Sequence, residues 1–406
     1  MSAGPQAVLV DRLFRRESGQ AVAVLTRVLG DLDRAEEAVQ DAFLVALERW
    51  PRDGLPDNPA AWIVTAARNR ALDRIRSEKR WIGRRKALEA ELRTVGEEAP
   101  EPDADEPVSP IVDDRLRLMF TVCHPALAPE ARVGLTLRTL GGLSTAEVAR
   151  AFLVAEPAMA QRISRAKRKI ASSGIKYEIP RDADLPERLR SVLTTLYLIF
   201  NAGYGPPVRS EFTAEAIRLA RLLVQLMPDE GEAVGLLALM LLQDSRRAAR
   251  VDADGRLVLL RDQDRSLWDR EQIAEGQRFV ARGWQLGRLG VYLIQASIAV
   301  EHARGSDWTR IVWLYDQLWA VSPTPVVALN RAVAIAERDG PEAGLDAMDA
   351  IGDLDGYHLF HAARADLLRR LDRLGEAQAA YGAALGLCDS EVEREFLSRR
   401  IAELGS

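Results

Sequence analysis

Apolar side chains recur at helical spacing along almost the whole chain. From Ala35 to Trp50 they form one stripe at about 100° per residue, while Glu37, Asp41 and Glu48 lie on the opposite face. The alternation of apolar and polar positions that is typical of strands is scarce. The pattern therefore predicts an all-α protein.

Capping residues set the expected ends of the first helices. Asp33, with Glu36 three residues later, forms a variant of the capping box and predicts a helix start. Pro51 and Gly54 are expected to end that helix. Asn58-Pro59 then supplies a cap and a favourable first residue for a second helix, which contains no glycine or proline up to Ile82.

A second compact helical segment is predicted from Ile111 to Ile170. A turn at Gly141-Gly142-Leu143 is followed by a capping box of Ser144 and Glu147, and Pro157 opens the last helix. Apolar residues mark the faces of these helices that we expect to be buried: Val133, Leu137, Leu140, Val148, Ala149, Phe152, Met159, Ile163, Ala166 and Ile170. The order of turn, caps and stripes is that of a helix-turn-helix.

The remainder, from Leu185 to Ser406, reads as one helix after another. The exception is a short β-hairpin predicted at 250–259, with Asp254-Gly255 in its turn. Glu342-Ala343 and Ile351 recur as Glu376-Ala377 and Leu385 at a spacing of 34 residues, the period of tetratricopeptide helix pairs. The apolar runs 192–200 and 234–242 are too short to span a bilayer and predict buried helices.

Composition changes this picture through the distribution of charge. The chain has 406 residues and a net charge of −5, yet residues 131–180 carry nine basic and three acidic side chains. Residues 181–406 carry 27 basic and 34 acidic side chains. Only a local excess of positive charge matters for DNA binding. The two cysteines and the N-terminus, which lacks an apolar run after a basic start, predict a cytoplasmic protein without a signal peptide.

Two basic helices are separated by an acidic segment. The helix that starts at Pro59 holds nine basic and two acidic side chains up to Lys86, and the other reads Gln161-Arg-Ile-Ser-Arg-Ala-Lys-Arg-Lys169. Residues 91–114 between them contain nine acids, one arginine and four prolines. That segment is either a solvated tether, which its composition favours, or a competitor that occupies the basic helices. Two positive elements predict contact with one DNA molecule at two places.

The second basic helix fits a B-DNA major groove, because its apolar stripe is narrow and its far side is polar or basic. Gln161 and Arg165 are the expected base readers, and Arg168 and Lys169 are expected to hold phosphates. The polar side also contains Arg162, Ser164 and Lys167. The alternative is an ordinary solvated charged face.

The first basic helix is less specific. Its basic residues can follow a DNA backbone or merely keep the helix solvated; they are Arg68, Arg70, Arg74, Arg76, Lys79 and Arg80. Trp62 and Trp81 can stack on exposed bases, although a core position is the favoured interpretation for Trp62.

The sequence gives little support for a ligand, metal or catalytic site. The charged segments 244–250 and 261–265 form either a ligand site or interface, or a surface ion-pair network, which is favoured. His358 and His361 are three residues apart, and we expect no cysteine or acid to accompany them in a metal site. We find no phosphate-binding loop and no nucleophile with its base. We therefore expect no enzyme activity, no cofactor and no metal.

Two motifs together resemble a known family. Asp33-Arg-Ala-Glu-Glu-Ala-Val-Gln-Asp-Ala-Phe43 and Trp62-Ile-Val-Thr-Ala-Ala-Arg-Asn-Arg-Ala-Leu-Asp-Arg-Ile75 resemble region 2 of extracytoplasmic-function (ECF) RNA polymerase sigma factors. Leu143-Ser-Thr-Ala-Glu-Val-Ala149 and Gln161-Arg-Ile-Ser-Arg-Ala166 resemble their region 4. The match covers about residues 8–178, and the tail resembles the subgroup with a tetratricopeptide-like C-terminal extension.

The resemblance implies roles for individual residues. The β′ clamp helices of core RNA polymerase would contact Glu37, Gln40, Asp41 and Leu44, and the β subunit would be a further partner. The helix that follows would melt and read the −10 promoter element, with Asn69 near a flipped base. The second helical segment would read the −35 element as duplex. Ala155-Glu156-Pro157 departs from the family's small, polar turn, which leaves the fine promoter preference open.

The resemblance also predicts how the chain is divided. Region 2 is expected at 1–90, the acidic linker at 91–110, region 4 at 111–178 and a helical regulatory extension at 185–406, where a regulatory protein or ligand would bind. We expect no membrane association. Two rival functions remain: a helix-turn-helix regulator that acts without polymerase, and an adaptor, sensor or enzyme whose function lies in the tail.

Overall fold

The computed structural model describes residues 5–90, 111–152, 154–181, 183–204, 209–252, 256–352 and 354–404. Nearly all of them are helical, which confirms the all-α prediction. The chain divides into two compact units, residues 1–198 and 199–406. No described helix combines the length and the apolar character needed to cross a membrane.

The described residues of the N-terminal unit form seven helices and the start of an eighth that runs on into the next unit. They are α1 (Pro5–Leu29), α2 (Leu32–Asp53), α3 (Pro59–Ala90), α4 (Ile111–Val122), α5 (Pro129–Thr139), α6 (Thr145–Ala151), α7 (Glu156–Ser172) and α8 (Leu185–Tyr204). Helices α1, α2 and α3 form one bundle, and α5, α6 and α7 form another. Helix α4 packs against α1 and so joins the two bundles.

The start of α2 corrects the sequence prediction. Asp31, and not Asp33, caps the helix, because its side chain accepts a hydrogen bond from the Arg34 backbone N–H at 3.0 Å. Starting the helix there places Leu32 in the core. At the other end, Pro51 lies inside the helix, which continues to Asp53, whereas Gly54 is the C-cap as predicted and donates to the Trp50 carbonyl oxygen.

Two other predicted helix starts are confirmed. The Asn58 side chain accepts a hydrogen bond from the Ala61 N–H at 3.1 Å. Ser144 and Glu147 form a reciprocal capping box with bonds of 3.2 and 2.7 Å. Each cap satisfies backbone donors that the helix itself leaves unpaired.

A buried carboxylate, Asp114, helps to hold the two bundles of the N-terminal unit together. It is fully buried on α4 and accepts hydrogen bonds from Arg27 on α1 at 3.1 Å and from Arg117 at 2.8 Å. The Tyr177 hydroxyl lies between the Ala23 and Asp114 carbonyl oxygens, at 2.7 and 2.9 Å. Burial raises the pKa of this phenol, so it remains a neutral donor.

Close approach of backbones adds to this contact. A Cβ atom on Gly19 of α1 would lie 2.9 Å from the Leu140 carbonyl oxygen, at the end of α5. Such a distance is too short for a side chain, so glycine is needed where the two bundles meet.

The C-terminal unit continues as helices packed mainly on their neighbours in sequence. They are α9 (Ser210–Leu226), α10 (Gly231–Asp244), α11 (Arg270–Gln285), α12 (Val291–Arg304), α13 (Trp308–Val321), α14 (Pro325–Asp339), α15 (Pro341–Asp349), α16 (His358–Arg370), α17 (Leu374–Leu387) and α18 (Glu391–Leu404). Helix α10 contains the apolar run 234–242, which is buried throughout, as predicted. Gly235 permits this burial, because a Cβ there would lie 2.5 Å from the Leu293 backbone nitrogen.

The predicted hairpin is present as an isolated antiparallel bridge between Val251 and Leu257. The Asp252 N–H donates to the Arg256 carbonyl oxygen at 2.9 Å. Its turn residues, Asp254-Gly255, lie outside the described residues.

The 34-residue repeat corresponds to two helix pairs, α14 with α15 and α16 with α17. Glu342 and Glu376 occupy matching places in the first turns of α15 and α17. The repeat is uneven at its end, since Ile351 follows α15 whereas Leu385 lies within α17.

A half-buried histidine makes the C-terminal unit sensitive to acid. His302, near the end of α12, packs edge-on against Trp308 with ring centroids 5.5 Å apart. Burial, together with the charges of Arg246 and Arg265, lowers the pKa of this imidazole from 6.5 to about 4. The folded protein therefore favours the neutral form of this imidazole.

The His302→Gln substitution should reduce the acid sensitivity of this unit. In the wild type, the unfolded chain binds a proton near pH 6.5 while the folded chain resists protonation until about pH 4. Stability is thus present above the unfolded pKa and lost as pH falls, by about 2–3 kcal/mol over this interval at most. Urea unfolding at several pH values in this interval measures the free energy of unfolding. If it falls with pH equally in the wild type and in the variant, the assignment to His302 is contradicted.

Candidate nucleic-acid interface

Helix α7 is fixed in the N-terminal unit by one buried stripe. Met159, Ile163 and Ala166 are buried, and α7 packs on α5 and α6. Gly134 of α5 makes room for this packing, since a Cβ there would lie 3.0 Å from the Met159 sulfur. The sequence prediction of a helix-turn-helix with an outward polar face is thereby confirmed.

The outward face of α7 brings six of the residues that we predicted for DNA binding onto one helix. All six are exposed: Gln161, Arg162, Ser164, Arg165, Arg168 and Lys169. Of these, Lys169 also donates to the Ala126 carbonyl oxygen, which directs its ammonium group toward the loop before α5. The face is cationic and open, as a surface for phosphates and base edges must be.

Lys167 has a different environment from its neighbours on α7. Its ammonium group lies 2.6 Å from an Asp33 carboxylate oxygen and 3.1 Å from a Glu36 carboxylate oxygen, both on α2. Burial alone would lower the pKa of Lys167, but the two carboxylates outweigh it and raise the pKa. This side chain is a charged link between the two bundles.

Glu36 is the buried partner in this link. Its other carboxylate oxygen accepts a hydrogen bond from the Thr139 hydroxyl at 2.9 Å. From the sequence we predicted Glu36 as part of a capping box and Lys167 as a cation on the flank of the second basic helix. Neither prediction anticipated that these two side chains contact each other. A signal was present, because Glu36, Val39 and Phe43 share the buried face of α2.

The α3 residues that we predicted for DNA binding differ in their exposure and in their partners. Arg68 and Asn69 are exposed. Arg74 is also exposed, but its guanidinium lies 2.8 Å from Glu37 and 4.0 Å from Asp41. The side chains of Arg76, Lys79, Arg80 and Trp81 lie outside the described residues.

Trp62 contributes to the bundle rather than to its surface. Its ring packs edge-on against the buried Trp50 ring, with centroids 5.4 Å apart. The favoured sequence interpretation, a core role, agrees with this contact. This edge-on contact with Trp50 also positions the first turns of α3 against the end of α2.

The outward face of α2 carries the four residues that we predicted for polymerase contact. Glu37 and Leu44 are exposed, and Gln40 and Asp41 are half-buried between them. Leu44 is 59% exposed, and Leu47, which the sequence reasoning missed, is 42% exposed. Exposed leucines beside acids are typical of a surface that binds another protein.

The turn before α7 departs from the family pattern in its structure too. Ala155 makes no side-chain cap, and the exposed Glu156 is the first residue of α7. An acid at a helix N-terminus is favoured by the helix dipole.

The charged segments of the C-terminal unit are engaged in ion pairs. Arg247 lies 3.5 Å from Asp244, and Arg261 lies 3.1 Å from Asp366. These pairs support the favoured interpretation, a surface ion-pair network.

Comparison with known families divides the chain into three matched segments. Residues 13–81 match Sigma-70 region 2, and residues 117–170 match Sigma-70 region 4. Residues 188–284 match a family of unknown function, DUF6596.

Two relatives match different shares of the chain. "Uncharacterized protein R00370" of Rhizobium meliloti (strain 1021) is 43% identical over 407 residues, which span 95% of this chain and 94% of the relative. "ECF RNA polymerase sigma factor SigK" of Mycobacterium sp. (strain KMS) is 30% identical over 142 residues, or 34% of this chain and 67% of the relative. No solved structure matches the chain.

Glu36→Ala should destabilise the N-terminal unit far more than Asp33→Ala. Both acids contact Lys167, but the Glu36 side chain is 8% exposed and that of Asp33 is 65% exposed. Removing the buried carboxylate leaves Lys167 and Thr139 without that partner, at a cost of about 3 kcal/mol, against about 0–1 kcal/mol for the exposed one. Urea unfolding measures the difference, and equal effects would contradict the assignment.

Proposed function

The chain belongs to the ECF RNA polymerase sigma factors and carries a C-terminal extension, and from this membership we propose how its residues recruit polymerase and recognise promoters. A sigma factor directs transcription initiation and binds DNA and RNA polymerase. The observation on which the proposal rests is the presence, in one unit, of an open cationic helix and a separate acidic and apolar helix face.

The acidic and apolar face of α2 is the proposed docking surface for core polymerase. Glu37, Gln40, Asp41 and Leu44 lie on one side of α2, where Glu37 and Leu44 are exposed and Gln40 and Asp41 are half-buried. The leucine would supply buried apolar area at the β′ clamp helices, and the acids would select a basic partner. The β subunit is a further proposed contact of the sigma factor.

Helix α3 and the loop before it are proposed to open and read the −10 element. Arg68 and Asn69 are exposed and available to DNA, and Asn69 is assigned to a flipped base. Arg74 must first leave Glu37 and Asp41. Exposed pairs of this kind contribute only about 0–1 kcal/mol, so phosphates can replace them. Arg76 is proposed as a further DNA contact.

Helix α7 is proposed to read the −35 element in the major groove. Gln161 and Arg165 lie in its first half and are assigned to base edges, with Ser164 between them. Arg162, Arg168 and Lys169 are assigned to phosphates, which fix the helix in register. Glu156 lies at the N-terminus of α7, where it would discourage a close phosphate.

The two promoter elements are too far apart for the N-terminal unit as it is folded here. About 25 base pairs separate them, which is roughly 85 Å of duplex at 3.4 Å per base pair. A compact unit of this size, Met1–Leu198, has a radius of gyration of about 16 Å. We therefore propose that the two bundles separate when the promoter is bound, which breaks the Lys167 link to Glu36.

The linker supplies the necessary reach. Residues 91–110 comprise 20 residues, which span up to about 70 Å when extended. This supports the proposed division into region 2 (1–90), linker (91–110), region 4 (111–178) and extension (185–406). The extension is proposed to regulate activity by binding a protein or ligand, an assignment that follows from its fusion to the sigma segments.

Transcription with purified core polymerase on a library of genomic fragments tests the proposal. Start sites should share two upstream motifs, and Asp41→Arg should abolish both core binding and transcription while helicity is unchanged. Glu130→Arg, which reverses an exposed acid of α5, is the matched control and should behave as the wild type. If the chain never binds core, or if Asp41→Arg binds it normally, the proposal fails.

Arg165→Ala should weaken binding to the specific promoter by about 1–3 kcal/mol and relax the preference at one upstream position. Arg168→Ala, on the same exposed face, should weaken binding to all sequences alike, because it is assigned to a phosphate. Binding of holoenzyme to a randomised −35 library measures both variants. Uniform weakening by Arg165→Ala would reassign this side chain to the DNA backbone.

A further inference from the structure

Three side chains that are distant in sequence converge near the end of the C-terminal unit. His358 is the first residue of α16, Cys388 is the residue that follows α17, and Glu393 lies in the first turn of α18. One ligand atom from each lies within 4.8 Å of the others. Our expectation that no cysteine or acid accompanies the histidines is therefore wrong for His358.

Two of the three separations match those of ligands around one tetrahedral metal ion, and the third is below 4.8 Å. His358 Nε2 lies 3.2 Å from a Glu393 carboxylate oxygen, and the Cys388 sulfur lies 3.6 Å from the same oxygen. Zinc bond lengths of about 2.0–2.1 Å to nitrogen or oxygen and about 2.3 Å to sulfur give tetrahedral edges of about 3.3 and 3.6 Å. A cation thus fits with small side-chain adjustments.

One polar atom of the cluster lacks a hydrogen bond among the described residues. His358 Nε2 is buried and makes no hydrogen bond, in spite of the nearby Glu393 oxygen. The Cys388 thiol donates to that oxygen and to the Ser390 carbonyl oxygen, with sulfur–oxygen distances of 3.6 Å, and these bonds would be replaced when a metal ion binds. A buried nitrogen that lacks a hydrogen bond costs stability unless something else occupies its lone pair.

The backbone that carries Cys388 is held in place independently of any ion. The Arg394 guanidinium donates to the Leu385 and Cys388 carbonyl oxygens at 2.8 and 3.0 Å. Cys388 also belongs to the apolar cluster of Tyr381, Ala384 and Leu397 and is 3% exposed. The His358 and Glu393 side chains remain 23% and 29% exposed, which leaves an approach from solvent.

We propose that His358, Cys388 and Glu393 bind a thiophilic divalent cation of the zinc class, with water as the fourth ligand. A thiolate, an imidazole and a carboxylate select such an ion over Mg²⁺ or Ca²⁺, which prefer oxygen ligands alone. The ion fastens the start of α16 to the turn between α17 and α18. It thereby stabilises the last helices of the extension, whatever signal the extension receives.

Cobalt and zinc titrations of the full-length chain, without an affinity tag and stripped by a chelator, test this proposal. One equivalent of Co²⁺ should produce a thiolate-to-cobalt charge-transfer band and tetrahedral d–d bands, and Zn²⁺ should displace it. Zn²⁺ should also raise the melting temperature. Mg²⁺ and Ca²⁺ should do neither.

Variants separate the site from general metal binding. Cys388→Ser should abolish the charge-transfer band, and His358→Gln and Glu393→Gln should each weaken affinity by more than about tenfold. Two controls should bind like the wild type: His361→Gln, whose ring nitrogen lies 2.8 Å from the Asp355 carbonyl oxygen, and Cys123→Ser.

The outcomes that overturn the site are equally specific. Absence of the charge-transfer band in the wild type, with native helicity confirmed by circular dichroism, would remove it. So would retention of the band in Cys388→Ser or its loss in Cys123→Ser. Because the readouts are metal binding and melting temperature, they are independent of transcription and of the sigma assignments.

Discussion

The arrangement of the N-terminal unit depends on one buried charge. The Glu36 carboxylate on α2 is removed from water and is satisfied by Lys167 of α7 and by Thr139 of α5. A buried carboxylate without such partners is strongly destabilising, so the helix-turn-helix must lie against α2 whenever Glu36 stays buried. Asp114, paired with Arg27 of α1 and with Arg117, is a second buried carboxylate and holds α4 against α1.

These contacts matter because they adjoin the surfaces proposed for polymerase and DNA. Lys167 lies on the flank of the exposed basic face of α7. The buried Glu36 is followed directly by Glu37, which lies on the outward face of α2. The exposed pair between Arg74 and Glu37 is weak and exchanges readily for a phosphate or a protein partner. The buried pair is the stronger restraint, and separating the bundles becomes favourable only if binding of polymerase and promoter supplies more free energy than the pair loses.

The C-terminal unit is organised by a different constraint, the close packing of consecutive helices. Glycine at Gly235 lets α10 approach the backbone of α12, and Gly344 packs against Ala336 in the pair of α14 and α15. In the pair of α16 and α17 the chain runs out and back, which brings His358 at the start of α16 to Cys388 after α17, thirty positions later. The proposed metal site is thus a consequence of the same helix-pair geometry that forms the core.

The sequence by itself determined the helices, the helix-turn-helix and its exposed basic face, because caps, turns and apolar stripes act over a few residues. It placed Asn58, Ser144 and the buried stripe from Met159 to Ala166 correctly. Tertiary structure alone decided the partners of Glu36 and the meeting of His358 with Cys388. Those outcomes depend on contacts between residues 30 to more than 100 positions apart, where local spacing carries no information about which charges become buried together.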